Sequence, residues 1–214
     1  AVMPDGSLLI ADRNNNRVVR VTPDGRLVRV LGGGATRADG ALATQSATEQ
    51  PWGLAAAPDG TWLVSEVSAA SLEVINQQIR RVGPDGRIVT VAGIRHSVFE
   101  CVQGGPTGDR FAAQVGLCSP VSLAWGPDGT LYVVEQGLHQ VRAIGVDGRY
   151  RVVAGVGTPG YTGDGGPALA AQLRLPEAAA VGADGSLYIV DRNHTVRRLG
   201  PDGVITTLAG TGFG

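Results

Sequence analysis

The residues able to do chemistry are few. Cys101 and Cys118 are the only cysteines, and they flank one stretch between apolar runs. Joined as a disulfide, they would close a loop worth roughly 3 kcal/mol in the chain-entropy model and would imply an oxidising compartment. The alternative is two unpaired, small core residues. Two thiols with only His96 nearby fall short of the four ligands that a structural zinc takes. Four acids, Asp12, Glu66, Glu135 and Asp191, end similar apolar runs, with Arg13, Arg192, His139 and His194 close by. Brought together in a ring, they would form a polar binding face. Each acid could equally cap the turn that follows it.

Other patterns carry less. Gly155-Val156-Gly157-Thr158-Pro159-Gly160 matches a dinucleotide fingerprint literally. That fingerprint needs a helix to open at once, so that its N-terminus meets the pyrophosphate, and here Pro159 and further glycines follow. The many Asp-Gly pairs offer one carboxylate per turn, whereas calcium takes about 6–8 converging oxygens; Asp164 is also a lone carboxylate. No nucleophile elbow, His-Glu-x-x-His or phosphate loop occurs. Asn193-His194-Thr195 is a formal glycosylation sequon inside a tight turn.

Composition narrows the class. Hydrophobic residues make up 43% of the 214, enough for a real core. The formal net charge of −1 gives no basic footprint for nucleic acid. All 18 basic residues are Arg, which points to a GC-rich bacterial gene. No apolar run reaches the roughly 20 residues that span a bilayer. The opening Ala-Val-Met-Pro-Asp-Gly reads like the middle of a repeat, so a larger parent protein is expected.

The elements that must position these residues come from that repeat. Pro-Asp-Gly or a near copy recurs in pairs, beginning at Pro4 and Pro23, Pro58 and Pro84, Pro127 and Val146, Ala183 and Pro201. Asp-Gly between apolar runs is a hairpin signal, because Gly supplies the positive φ the turn needs. Strands are expected at Ser7–Asp12, Thr61–Glu66, Thr130–Glu135 and Ser186–Asp191, each followed by an Arg-bearing strand and a third. Longer connectors end in strands starting at Pro51, Pro120 and Pro176. One connector, Gly160 to Leu173, could form a short helical turn after Pro167; Asp39–Gln50 and Asp109–Leu117 read as worn copies of it. The prediction is all-β: four-stranded antiparallel blades of a β-propeller, with units at about 1–34, 51–94, 119–157 and 175–214.

Asn193-His194-Thr195-Val196-Arg197 and Asn15-Asn16-Arg17-Val18 resemble the turn of the NHL repeat family, and the resemblance covers essentially the whole chain. The connector Gly-Asp-Gly-Gly-Pro-Ala…Ala-Gln-Leu…Pro and the expanded hairpin from Val67 to Ile75 are similar to the NHL units of teneurins and of bacterial YD/Rhs-type proteins. NHL propellers usually have five or six blades, so with four units the missing blades lie outside this chain, four enlarged units close alone, or copies assemble; part of a larger propeller is the expectation. The resemblance implies a non-catalytic scaffold in a secreted or cell-surface protein, binding a protein partner or a neighbouring domain, with no cofactor, no nucleic acid and no membrane insertion. It also allows a metal-dependent lyase or hydrolase, which would need several His residues in one ring.

Overall fold

The computed structural model describes residues 1–68, 76–94 and 110–212. The Asp-Gly turns fold as expected. Gly6, Gly25, Gly60, Gly86, Gly129, Gly148, Gly185 and Gly203 all have φ between 74° and 84°. In the first turn of each pair, the Asp carboxylate accepts both the N–H and the hydroxyl of Ser7, Thr61, Thr130 or Ser186. These bonds hold Asp5, Asp59 and Asp128 below the usual carboxylate range and Asp184 down at about 2. Their contribution to folding is complete above the ordinary Asp value of about 3.9 and fades as pH falls below it.

Short strands run between the turns. The first unit holds β1 (Leu8–Asp12), β2 (Arg17–Val21) and β3 (Leu27–Leu31); the second holds β4 (Pro51–Ala56), β5 (Trp62–Ser68), β6 (Asn76–Val82) and β7 (Ile88–Ala92). A two-residue strand, β8 (Arg110–Phe111), precedes the third unit, which holds β9 (Pro120–Trp125), β10 (Leu131–Glu135), β11 (Gln140–Ile144) and β12 (Arg149–Ala154). The fourth unit holds β13 (Ala178–Val181), β14 (Leu187–Asp191), β15 (Thr195–Leu199) and β16 (Ile205–Ala209). Each unit is an antiparallel meander with its strands in chain order; β8 adds an edge outside β12. In the first unit, a single bridge between Val2 and Leu8 stands where the others have a full inner strand.

Successive sheets touch mainly through their inner strands: β1 packs on β4, β4 on β9, and β9 on β13. Outer strands β3, β7 and β12 instead meet the connectors, so the sheets fan outward. Three apolar cores fill the three gaps. Leu9, Val18 and Leu31 meet Trp62 and Val64; Leu63 and Ile79 meet Leu131 and Val133; Val134 and Val141 meet Leu187 and Ile189. Alternation along β5 decides this, since Trp62 and Val64 face the first sheet and Leu63 the third. No comparable packing joins the fourth sheet to the first among the described residues.

Candidate functional site

Each connector ties two units together in three places. Its short edge strand lies against the next unit's outer strand: Leu42 bridges Arg87, β8 pairs β12, and Pro167 bridges Val204. A 3-10 turn follows, at Ala43–Gln45, Ala112–Gln114 and Ala168–Ala170. The first carbonyl of that turn accepts the N–H of Gly32 (3.2 Å), Gly93 (3.0 Å) or Gly155 (3.0 Å), just past the preceding unit's last strand. The connector then ends on a residue before proline, Gln50, Ser119 or Leu175, in the left-handed region (φ 42°, 55° and 46°). A residue before proline favours extended backbone, so this conformation is strained and needs support. The support is one hydrogen bond from its N–H to a side chain of the preceding unit: Asn16 Oδ1 (2.8 Å), Gln77 Oε1 or His139 Nδ1 (2.9 Å).

The strand-end acids serve the same junctions. Glu66, with 0% exposure, accepts from the Thr48 hydroxyl (2.6 Å) and Arg37 (3.0 Å), both in the incoming connector. Burial pushes its carboxyl up, and the Thr48 bond and the Arg37 and Arg80 charges pull it back. Glu135, also at 0%, accepts the Cys118 N–H (2.7 Å) and the Tyr150 hydroxyl, and it pairs with Arg142 at 3.1 Å. Burial raises the Tyr150 pKa well above its usual value, so the phenol stays neutral and donates. Asp191 accepts the N–H groups of Arg174 (2.9 Å) and Asn193 (2.7 Å). Asp12 is half-buried and takes Arg17 (2.7 Å) and Asn15 (2.8 Å).

Three buried arginines, overlooked as site residues by the sequence reading, complete the set. Arg80, Arg142 and Arg197 are 1–2% exposed. Each follows a β-bulge at the same place in the third strand, Ile79/Arg80, Val141/Arg142 and Val196/Arg197. A bulge bends a strand and re-aims its side chains. Arg80 donates to the Ala47 carbonyl (3.1 Å), and Arg197 to Gln172 O (2.8 Å) and Asp164 (3.3 Å), in their incoming connectors. The recurrent Ile/Val-Arg pair was the available signal.

His139 makes one junction pH-sensitive. Its Nδ1 must be unprotonated to accept the Leu175 N–H, and burial lowers its pKa, with the Asp191 charge opposing. A depressed folded-state pKa means stability is full above the unfolded value of about 6.5 and declines as pH falls from there. Denaturant melts at pH 7.5 and 5.5 are expected to show this loss. His139→Asn, which places at 139 the residue type that does the same work at position 16, should remove the loss while keeping the bond.

The remaining predicted residues are dispersed. Arg13 is exposed, stacks over Trp52 (3.8 Å to the ring centroid) and donates to Gln50 (3.1 Å). Exposed Arg192 pairs with Glu177 at 2.5 Å, and His194 is exposed beside it. These turns lie at the end of the sheets opposite the Asp-Gly turns, whereas the connectors reach the other end, where Ala43, Ala112 and Ala168 donate to the carbonyls of Gly86, Gly148 and Gly203. Buried Glu66, Glu135 and Asp191 face inward, so Arg13, Arg192 and His194, with half-buried Asp12 and His139, are what the end opposite the Asp-Gly turns presents. Cys118 is 3% exposed; Cys101 and His96 lie outside the described residues, as does most of the Val67–Ile75 hairpin. Asn193 is 4% exposed and its amide donates to Gly160 O (2.7 Å), which occupies the sequon nitrogen. Among the described residues, no three His, Cys, Asp or Glu side chains gather as a metal site would require.

Meandering antiparallel sheets of three to five strands, fanned about their inner strands and stapled by connectors, define a propeller-type repeat region of the NHL class. The sequence profile of the Teneurin NHL domain matches residues 24–145, and the chain belongs to that family. Teneurin-3 of Mus musculus is 31% identical over 155 residues, covering 65% of this chain and 5% of that protein. Teneurin-m of Drosophila melanogaster is 27% identical over 230 residues, covering 96% of this chain and 8% of that protein. The chain thus spans under a tenth of these relatives. Among solved structures, a gluconolactonase from Xanthomonas campestris aligns with TM-score 0.64 and 19% identity, over 99% of this chain and 61% of that one. Virginiamycin B lyase from Staphylococcus aureus aligns with TM-score 0.55 and 16% identity, over 98% and 54%. At these identities the likeness is one of fold.

Proposed function

We propose that this chain is a non-catalytic scaffold and protein-interaction region of a large secreted or cell-surface protein, teneurin-like or YD/Rhs-like and bacterial, and part of a propeller with more than four blades. The observation that carries the reading is the use of the ring acids. Glu66, Glu135 and Asp191 are buried in junctions between units, so the acids are committed to holding the frame. The family match and the small share of each relative covered support a place within a longer polypeptide. The partner is a protein or a neighbouring domain of the same polypeptide, met at the end opposite the Asp-Gly turns, around Arg13, Trp52, Arg192 and His194.

The competing reading is a metal-dependent lyase or hydrolase. Elemental analysis of purified chain, with lactonase and lyase assays, separates the two. Well under one bound metal per chain and no turnover are expected; a stoichiometric metal with turnover overturns the scaffold. Gel filtration with the adjacent part of its own polypeptide should give a complex that Arg13→Glu with Arg192→Glu weakens.

A Cys101–Cys118 disulfide fits the secreted setting. Thiol titration of the unfolded chain should find no free thiol before reduction and two after. Reduction should lower stability by roughly 3 kcal/mol in the chain-entropy model.

A further inference from the structure

The three gaps between sheets are not filled alike near their Asp-Gly ends. Between the first and second sheets Leu9 meets Trp62, and between the third and fourth Tyr132 meets Leu187. Between the second and third, the same two places hold Leu63 and Leu131, so neither brings a ring. The ring of this junction sits one strand further in. Trp125 pairs across from Leu131, where the second and fourth units have Ala56 and Val181. A hollow of about 210 Å3 remains beside it, walled by Leu63, Val91, Trp125, Leu131 and Ile144. Gly129 and Val146, both in Asp-Gly turns, also line it and place it at that end of the sheets.

The two other side chains that line the hollow, Arg81 and Val146, are exposed and also depart from the repeat. Val146 is 84% exposed and stands where the other units have Pro23, Pro84 and Pro201. Arg20 and Arg198, in the same row as Arg81, bond Asp5 and Asp184 of their own first turns. Arg81 makes no such pair among the described residues. Asp59, its nearest counterpart, feels it only through space and has its oxygens held by Thr61.

An exposed guanidinium beside an apolar hollow is complementary to a carboxylate joined to an apolar group. The volume decides which group. Roughly 150 Å3 of apolar cavity holds a benzene ring, whereas sites for whole small molecules run to about 300–1,000 Å3. The hollow therefore suits one ring, and a ring entering from a partner chain is the common anchor of a protein interface.

We propose that this hollow is an anchor pocket for one phenylalanine side chain of a protein partner, with an aspartate or glutamate next to it in that partner for Arg81. The surface is separate from the one around Arg13, Trp52, Arg192 and His194, at the opposite end of the sheets.

The test titrates the 214-residue chain with short blocked peptides that pair phenylalanine with aspartate, followed by 1H–15N NMR. Saturable shifts are expected at the Trp125 indole and the Val146 amide. Alanine in place of the peptide's phenylalanine should weaken binding at least about tenfold, the worth of burying the ring. Arg81→Gln should weaken it about twofold to fivefold, as for an exposed ion pair, and remove the preference for aspartate over asparagine in the peptide. Leu63→Phe, which puts a ring where Tyr132 has one, should abolish binding with the melting transition retained. Arg13→Glu with Arg192→Glu should leave the titration unchanged, so the two surfaces stand or fall separately. No saturable shift at Trp125, or equal binding of the alanine peptide, overturns the proposal. Free phenylpropanoate binding more tightly than the peptide overturns it in favour of a small aromatic acid.

Discussion

Replacing Gly155 by Ala is expected to destabilise the chain by about 2–4 kcal/mol, the sum of left-handed backbone strain and a steric clash. Gly155 has φ +94°, and a Cβ there would overlap the His139 carbonyl oxygen and sit 3.0 Å from Gln140 Cα. Both obstacles are backbone and cannot swing away. Displacing them would also pull the Gly155 N–H from Ala168 O, the bond that anchors the connector. Gly165→Ala is the matched control, with φ +78° but nothing within 4 Å of the added Cβ. It should cost only the backbone strain, about 1–2 kcal/mol. Urea denaturation of both variants measures the difference; equal losses would mean that the close approach at Gly155 relaxes freely.

The second large effect belongs to Glu135. Glu135→Ala should cost about 3–5 kcal/mol, because it removes a carboxylate from beside a buried cation. Arg142, 2% exposed, loses the carboxylate 3.1 Å away, and the Cys118 N–H and Tyr150 hydroxyl lose their acceptor in the same step. Replacing both partners, Glu135→Leu with Arg142→Met, should cost less than Glu135→Ala alone, since an apolar pair of similar volume leaves no isolated charge. Asp24→Ala, which breaks the exposed pair with Arg26, should stay within about 1 kcal/mol. A double-mutant cycle on Glu135 and Arg142 reads the coupling directly. If the double variant proves the less stable, the pair contributes more than charge neutralisation.

The strands and turns were legible because their signals are local. Asp-Gly fixes each turn within two residues, and the strands expected to end at Asp12, Glu135 and Asp191 end there, as β1, β10 and β14. The worn connectors were legible too: Asp39 accepts from Thr90 as Asp164 does from Thr207. The environment of the acids was not. A Glu ending a strand is most often exposed, and what buries Glu66 is Thr48 and Arg37 in the incoming connector, whose path local pattern does not give. The same holds for the arginines, since whether Arg142 is solvated depends on a bulge at Val141 and on Tyr150 one strand away. Left-handed Gln50, Ser119 and Leu175 were hidden because the residue before proline ordinarily reads as extended.

The connectors also bear on how such a chain can be copied or recombined. Each is bonded to the last strand of one sheet and to the outer edge of the next, so the self-sufficient module is out of phase with the visible sheet. A chimera joined inside a connector would inherit each half of the staple from a different parent and meet neither landing site intact. A joint at an Asp-Gly turn such as that of Gly60 or Gly129 parts the incoming connector from its anchors further along the chain, at Gly86 and Arg87 or at Gly148 and Arg149. Successive staples overlap along the chain, since Gln77 already holds the second connector before Gly86 and Arg87 hold the first, so exchange between relatives is best tolerated when several units move together.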